Sequence, residues 1–124
     1  MKVEFILYVA DQAASRDFYA QLLQQAPSLD VPGMTEFDVG SCTLGLMPTS
    51  GIARILTPSM PHPDEAAGIP RCELYLKVAD ADLLHQRGIA IGASEIEAVS
   101  LRAWGDRVGY LSDPDGHIIA FASE

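Results

Sequence analysis

The stretch EFILYVAD, Glu4 to Asp11, returns as ELYLKVAD at Glu73 to Asp80. Aligning Glu4 with Glu73 matches Leu7 to Leu76, Val9 to Val78, Ala10 to Ala79 and Asp11 to Asp80. A repeat of this kind constrains the fold more than any local propensity, because one supersecondary unit must serve twice. Each copy alternates like a strand and ends in an aspartate suited to cap a helix. Behind Asp11, Ala14, Phe18 and Leu22 recur at helical spacing with Leu23 widening the stripe, and Pro27 is expected to end the helix. Behind Asp80, Leu83 and Leu84 carry a shorter helix that Gly88 is placed to stop.

Three strands are expected after each helix. In the first half, MTEFDVGSCTLGLMP reads as two strands about a turn at Gly40 and Ser41, and IARIL, Ile52 to Leu56, as the third. In the second half, SEIEAVSL is a strand. RVGYLSDPDGHIIAFAS is a hairpin whose turn chemistry lies at Asp113 to Gly116. The fold class is therefore α+β: two tandem βαβββ modules forming a curved mixed sheet around a cleft, with helices outside. Module 1 is expected over about 1–57 and module 2 over about 71–124 of one domain. Between them, 58–70 is a proline-rich linker without periodicity, long enough to act as a lid.

Composition narrows the function classes. No apolar run approaches the roughly 20 residues of a membrane helix, and the first residues lack the pattern of a signal peptide, so a cytoplasmic home is expected. Cys42 and Cys72 read as small core residues in strand-like segments, which suits a reducing compartment. Eight basic against seventeen acidic residues give a net charge of −9, which repels nucleic acid and favours a cationic or neutral ligand.

Alternation divides the side chains of the repeated strands between two faces. Val3, Phe5, Leu7 and Val9 are expected to meet the first helix, as are Cys72, Leu74, Leu76 and Val78 the second. The opposite faces then carry Glu4, Ile6 and Tyr8, and Glu73, Tyr75 and Lys77. With Tyr110 and Ile118 these residues would line a ligand cleft or a dimer interface. His62 reads as a lid residue, His85 as a solvated helix residue and His117 as part of the turn.

LYVADQAASRDFYAQLL and AWGDRVGYLSDPDGHIIAF together resemble the opening and closing segments of the vicinal oxygen chelate superfamily. Its members include glyoxalase I, bleomycin- and fosfomycin-resistance proteins and extradiol dioxygenases. The resemblance implies metal ligands on the first strand and a late strand of each module, at Glu4, Gly45, Glu73 and Ala120 of this sequence. Gly45 and Ala120 carry no donor atoms, so the site reads as dismantled. Mg²⁺ or Mn²⁺, which accept oxygen ligands and keep several waters, leave room for a weak hydrated site on the two glutamates. Without a metal, two carboxylates in proximity share a proton or attract a cation, either a ligand amine or Arg54 or Lys77.

The expectation is a metal-free protein without a cofactor that sequesters a cationic or aromatic small molecule. Its ligand-binding residues are Glu4, Ile6, Tyr8, Glu73, Tyr75, Trp104, Tyr110 and Ala120, and Trp104 equally reads as packing the hairpin. Two alternatives stand beside it. One is a divalent-metal-dependent lyase or isomerase of glyoxalase type with Glu4 or Glu73 as catalytic base. The other is an interaction module whose concave face serves dimerisation. A homodimer is expected in keeping with the resemblance, and neither nucleic acid nor membrane as partner.

Overall fold

The computed structural model describes all residues, Met1–Glu124. The chain divides into two compact units, Met1–Ala67 and Gly68–Glu124. The first contains β1 (Glu4–Val9), α1 (Gln12–Leu23), β2 (Leu29–Val31), β3 (Met34–Asp38), β4 (Thr43–Pro48) and α2 (Thr49–Leu56), then a 3-10 turn at Pro63–Ala66. The second contains β5 (Glu73–Lys77), α3 (Ala81–Ala90), β6 (Ser94–Leu101), β7 (Arg107–Ser112) and β8 (Ile118–Ser123). Strand order is β1-β4-β3-β2 in one and β5-β8-β7-β6 in the other. In each sheet the first strand runs parallel to the last, and the remaining pairs are antiparallel. No helix is long and apolar enough to cross a membrane.

The two aspartates start the helices as the repeat requires. Ala14 N–H donates to Asp11 Oδ1 and Leu83 N–H to Asp80 Oδ1, both at 3.0 Å. The expected stops are displaced. The α1 helix ends at Gln24, whose left-handed backbone (φ 52°) lets its N–H reach Ala20 O before Pro27 is met. Gly88 is buried inside α3, and the chain leaves that helix through Gly92 at φ 104°. Gly88 serves packing, where a missing side chain matters as much as backbone freedom.

Ile52 to Leu56 is helical, part of α2, and not a strand. A short apolar run does not distinguish the two by periodicity. Here Ala53 is buried and Ile55 is exposed, as one turn of helix presents them. Thr49 Oγ1 donates to Val9 O and ties the start of α2 to β1. The third strand of module 1 is instead β2, so the βαβββ count holds with a different segment in it.

Helix α1 packs on β3 and β4, and α3 packs on β6, β7 and β8. The starts of the first strands lie outside that cover. Val3 and Phe5, expected to be buried, are 45% and 62% exposed, while Val9 is fully buried. For the same reason Leu74, Leu76 and Val78 are only half-buried. Cys42 is half-buried and Cys72 exposed, each just before a strand, and both are free thiols outside the core. In module 1 the buried side chains include Phe18, Tyr19 and Leu22 of α1 with Phe37, Leu44 and Leu46.

His85 departs most from its expected solvated position: it is 1% exposed. Its Nε2 shares a 2.7 Å hydrogen bond with Glu95 Oε2 of β6, while Nδ1 has no partner. The ring lies over Gly109 of β7, where a Cβ would stand 2.5 Å from Nδ1 and 2.6 Å from Val99 Cγ2. The expected hairpin turn is present. Asp113 Oδ1 accepts from the backbone N–H of Asp115 and of His117, and Gly116 at φ 87° closes it.

Gly109→Ala is expected to destabilise the protein by about 1–3 kcal/mol through overpacking against His85 and Val99. Gly51→Ala in α2, where a Cβ meets only the end of Arg54 at 4.0 Å, is expected to stabilise it by about 0.4–1 kcal/mol. Urea unfolding of both variants reads the contrast, and equal midpoints would remove the close-approach argument.

Candidate functional site

The register of each sheet lines up one row of residues on the face away from its helices. In module 1, Ile6 of β1 pairs with Gly45 of β4, which pairs with Glu36 of β3. Glu4 pairs with Thr43, two residues before Gly45, and its carboxylate leans over the glycine. A Cβ at position 45 would lie 2.7 Å from Glu4 Oε1, 3.1 Å from Ile6 Cγ1 and 3.3 Å from Met34 Sδ. Glu4 therefore occupies the space that a side chain at 45 would need.

The Glu4 carboxyl meets Glu36 there. Partial loss of water raises the Glu4 pKa, and the charge of Glu36 and a hydrogen bond with it raise it further. Like charge placed beside Glu4 disfavours its ionised form, so this face favours a proton or a cation at Glu4. Sequence reasoning passed over Glu36. The signal was the alternation of Thr35 and Phe37, both fully buried, which sends Glu36 to the open face beside Glu4.

In module 2 the corresponding row is Tyr75, Ala120 and Tyr110, on β5, β8 and β7. Glu73 takes the place of Glu4. Ala120 is fully buried and forms a cluster with Val108 and Ala122, against which Tyr75 and Tyr110 pack. Burial raises the Tyr110 pKa and the charge of Glu73 adds to this, while Arg102 lowers it and Tyr75 raises it slightly. The Arg102 guanidinium lies 5.2 Å from the Tyr110 ring centroid and donates to Val108 O. Tyr75 O–H donates to Asp106 Oδ2 at 3.1 Å, and Trp104 Nε1–H donates to Tyr75 Oη at 3.2 Å.

Module 1 thus brings together Glu4, Ile6 and Glu36 on the face that also carries Tyr8. Module 2 gathers Glu73, Tyr75, Tyr110 and Ala120 with Trp104, Asp106 and Arg102. Of the basic side chains expected beside the glutamates, Arg54 makes no ion pair with Glu4 and Lys77 none with Glu73. The cation that lies against Tyr110 is Arg102. Arg102 directly follows β6, and only the fold shows its guanidinium lying over the Tyr110 ring.

The resemblance placed four metal ligands at Glu4, Gly45, Glu73 and Ala120, and the residues present do not fit that metal. Gly45 and Ala120 supply no donor, Glu4 fills the space over Gly45, and two tyrosines cover Ala120. No three His, Cys, Asp or Glu side chains gather as a ligand set.

A sequence profile described as "Glyoxalase-like domain" matches residues 2–124. The chain belongs to this glyoxalase-like family of the vicinal oxygen chelate superfamily. Among curated proteins, this glyoxalase-like chain is 29% identical over 119 residues to an uncharacterized protein of Mycobacterium bovis, covering 90% of this chain and 75% of that one. Its fold matches a glyoxalase-related enzyme from Fulvimarina pelagi with a TM-score of 0.85 at 21% identity, covering 100% and 88% of the two chains. A glyoxalase/bleomycin resistance protein/dioxygenase family enzyme from Burkholderia phytofirmans PsJN matches at TM-score 0.84 and 18% identity, covering 97% and 95%.

The raised Glu4 pKa fixes the sign of a pH effect. The folded state holds this proton more tightly than the unfolded chain, so the contribution to stability is fully present below the unfolded pKa and is lost as pH rises through the folded one. Glu36→Gln should bring the Glu4 pKa back toward its ordinary value. Carbon-13 NMR titration of the side-chain carboxyls reads this directly, and an unchanged Glu4 titration in the variant would rule out the influence of Glu36.

Proposed function

We propose that this protein binds a cationic aromatic small molecule, without a metal, in the manner of the bleomycin-resistance branch of its superfamily. The observation that carries this reading is the Glu4–Glu36 pair over Gly45, an acid pair on an open face with no basic side chain paired to it. A ligand cation offsets the repulsion between two neighbouring carboxylates. Each module sets aromatic side chains on the face of its acids, Tyr8 with Glu4 in the first and Tyr75, Tyr110 and Trp104 with Glu73 in the second, on which such a ligand stacks, and the net charge of −9 favours its approach. The glyoxalase-type lyase, with Glu4 or Glu73 as base, draws less support because its metal would need donors at Gly45 and Ala120. Two free cysteines suit a reducing compartment, and a cytoplasmic place is part of the same reading.

Calorimetric titration with ethidium, a flat aromatic cation, tests the proposal. Micromolar binding unaffected by EDTA is expected. Glu36→Gln should weaken it about tenfold, equivalent to about 1.4 kcal/mol. Heat of binding indistinguishable from dilution at millimolar ethidium, or binding abolished by EDTA, would overturn it.

A homodimer is a second part of this reading, favoured by the exposed Val3 and Phe5 at the start of edge strand β1. Apolar side chains on a sheet edge are a template for association. Light scattering should give twice the 13.3 kDa chain mass. Phe5→Asp should return the monomer, and a monomeric wild type at 100-fold varied concentration would discard the dimer.

A further inference from the structure

Trp104 stands at the tip of the loop joining β6 to β7, and it is 60% exposed. The loop is closed by its own backbone: Arg102 N–H donates to Asp106 O at 2.8 Å, Gly105 N–H donates to Arg102 O at 3.0 Å, and Gly105 is at φ 100°. These bonds fix the backbone at the tip and leave the indole free to choose among rotamers. What holds the indole is a chain of side-chain hydrogen bonds, from Trp104 Nε1–H to Tyr75 Oη and from Tyr75 O–H to Asp106 Oδ2. The tyrosine hydroxyl is acceptor and donor at once, an arrangement in which each bond polarises the other. Its ring is held from below by Val108, Ala120 and Ala122.

The chain's own repeat shows that this hydroxyl is not required by the fold. Ile6 occupies the register position in module 1 that Tyr75 occupies in module 2: each faces the small residue of the last strand, Gly45 or Ala120. The same sheet topology forms around both. The hydroxyl and its two partners are therefore additions on the module 2 face.

We propose that Tyr75 is a positioning residue that holds the Trp104 indole as a fixed aromatic face for a flat cationic ligand. The ligand class rests on the function proposed above; the positioning of the indole does not. A side chain already fixed in the free protein loses little freedom when a ligand stacks on it, which strengthens binding without adding a contact.

Trp104 is the one tryptophan in the sequence, so its Nε1–H gives a single, unambiguous nitrogen-15 NMR resonance. In the free wild-type protein this group should show the heteronuclear NOE of rigid backbone and slow exchange with water. Tyr75→Phe keeps the packed ring and removes the hydroxyl. It should shift the resonance and lower its NOE, with thermal unfolding and the remaining spectrum unchanged. Asp106→Ala, which removes the outer acceptor, should loosen the indole from the other end. Ethidium affinity should fall about threefold to tenfold in Tyr75→Phe and further in Trp104→Ala. An indole NOE and exchange rate in Tyr75→Phe equal to the wild type would overturn the positioning role. So would Tyr75→Phe binding ethidium as tightly as a wild type that loses affinity on Trp104→Ala. If the wild type does not bind ethidium, the proposed ligand class falls, while the indole resonance alone still decides the role of Tyr75.

Discussion

The pairing of each module's first strand, in parallel, with its last is the constraint from which the candidate site follows. It requires the chain to cross over through a helix before it returns, which is why an aspartate cap follows each copy of the repeated strand. It also sets Ile6 against Gly45 and Tyr75 against Ala120. Because alternation fixes the face, the register decides which side chains gather on the open side and which meet the helix. A slip of one residue would exchange the two faces of each first strand and turn Val9, fully buried as paired, to the open side.

The modules share that register and fill it with different chemistry. In module 1 the small residue is glycine, a carboxylate lies over it, and a second carboxylate waits on the next strand. In module 2 the small residue is alanine, sealed under two tyrosines, and Arg102 offsets the charge of Glu73 near Tyr110. One face carries two neighbouring acids, and the other is aromatic and nearer to charge balance. A duplicated scaffold can diverge in this way because the cross-strand positions are set by backbone pairing, and the side chains on an open face are constrained weakly by packing.

Much of this was legible in the sequence where local rules agree with global ones. The repeat, both aspartate caps, the Asp113–Gly116 turn and the outward glutamates were all readable from alternation and turn chemistry. Ile52–Leu56 was not, because five apolar-rich residues satisfy a strand and a helix equally and only the filled sheet decides between them. His85 was misplaced for a related reason: a histidine on a short helix looks solvated until Gly109 opens a slot for its ring. Glu36 required a comparison between strands distant in sequence, and Val3 and Phe5 required knowing which strands the helices cover. In each case the missing knowledge was tertiary, a neighbour from another element.

Gly45 has a consequence for how such a chain can change over time. With Glu4 folded into the space above it, a side chain at 45 must turn the flexible Glu4 carboxylate aside, whereas a shorter residue at 4 leaves that space free. The effects of the two positions are not additive, as expected for side chains that compete for one volume. The order in which they mutate therefore matters. The glycine thus sets where the carboxylate of its neighbour rests: any side chain at 45 turns Glu4 aside and changes which acids meet on this face.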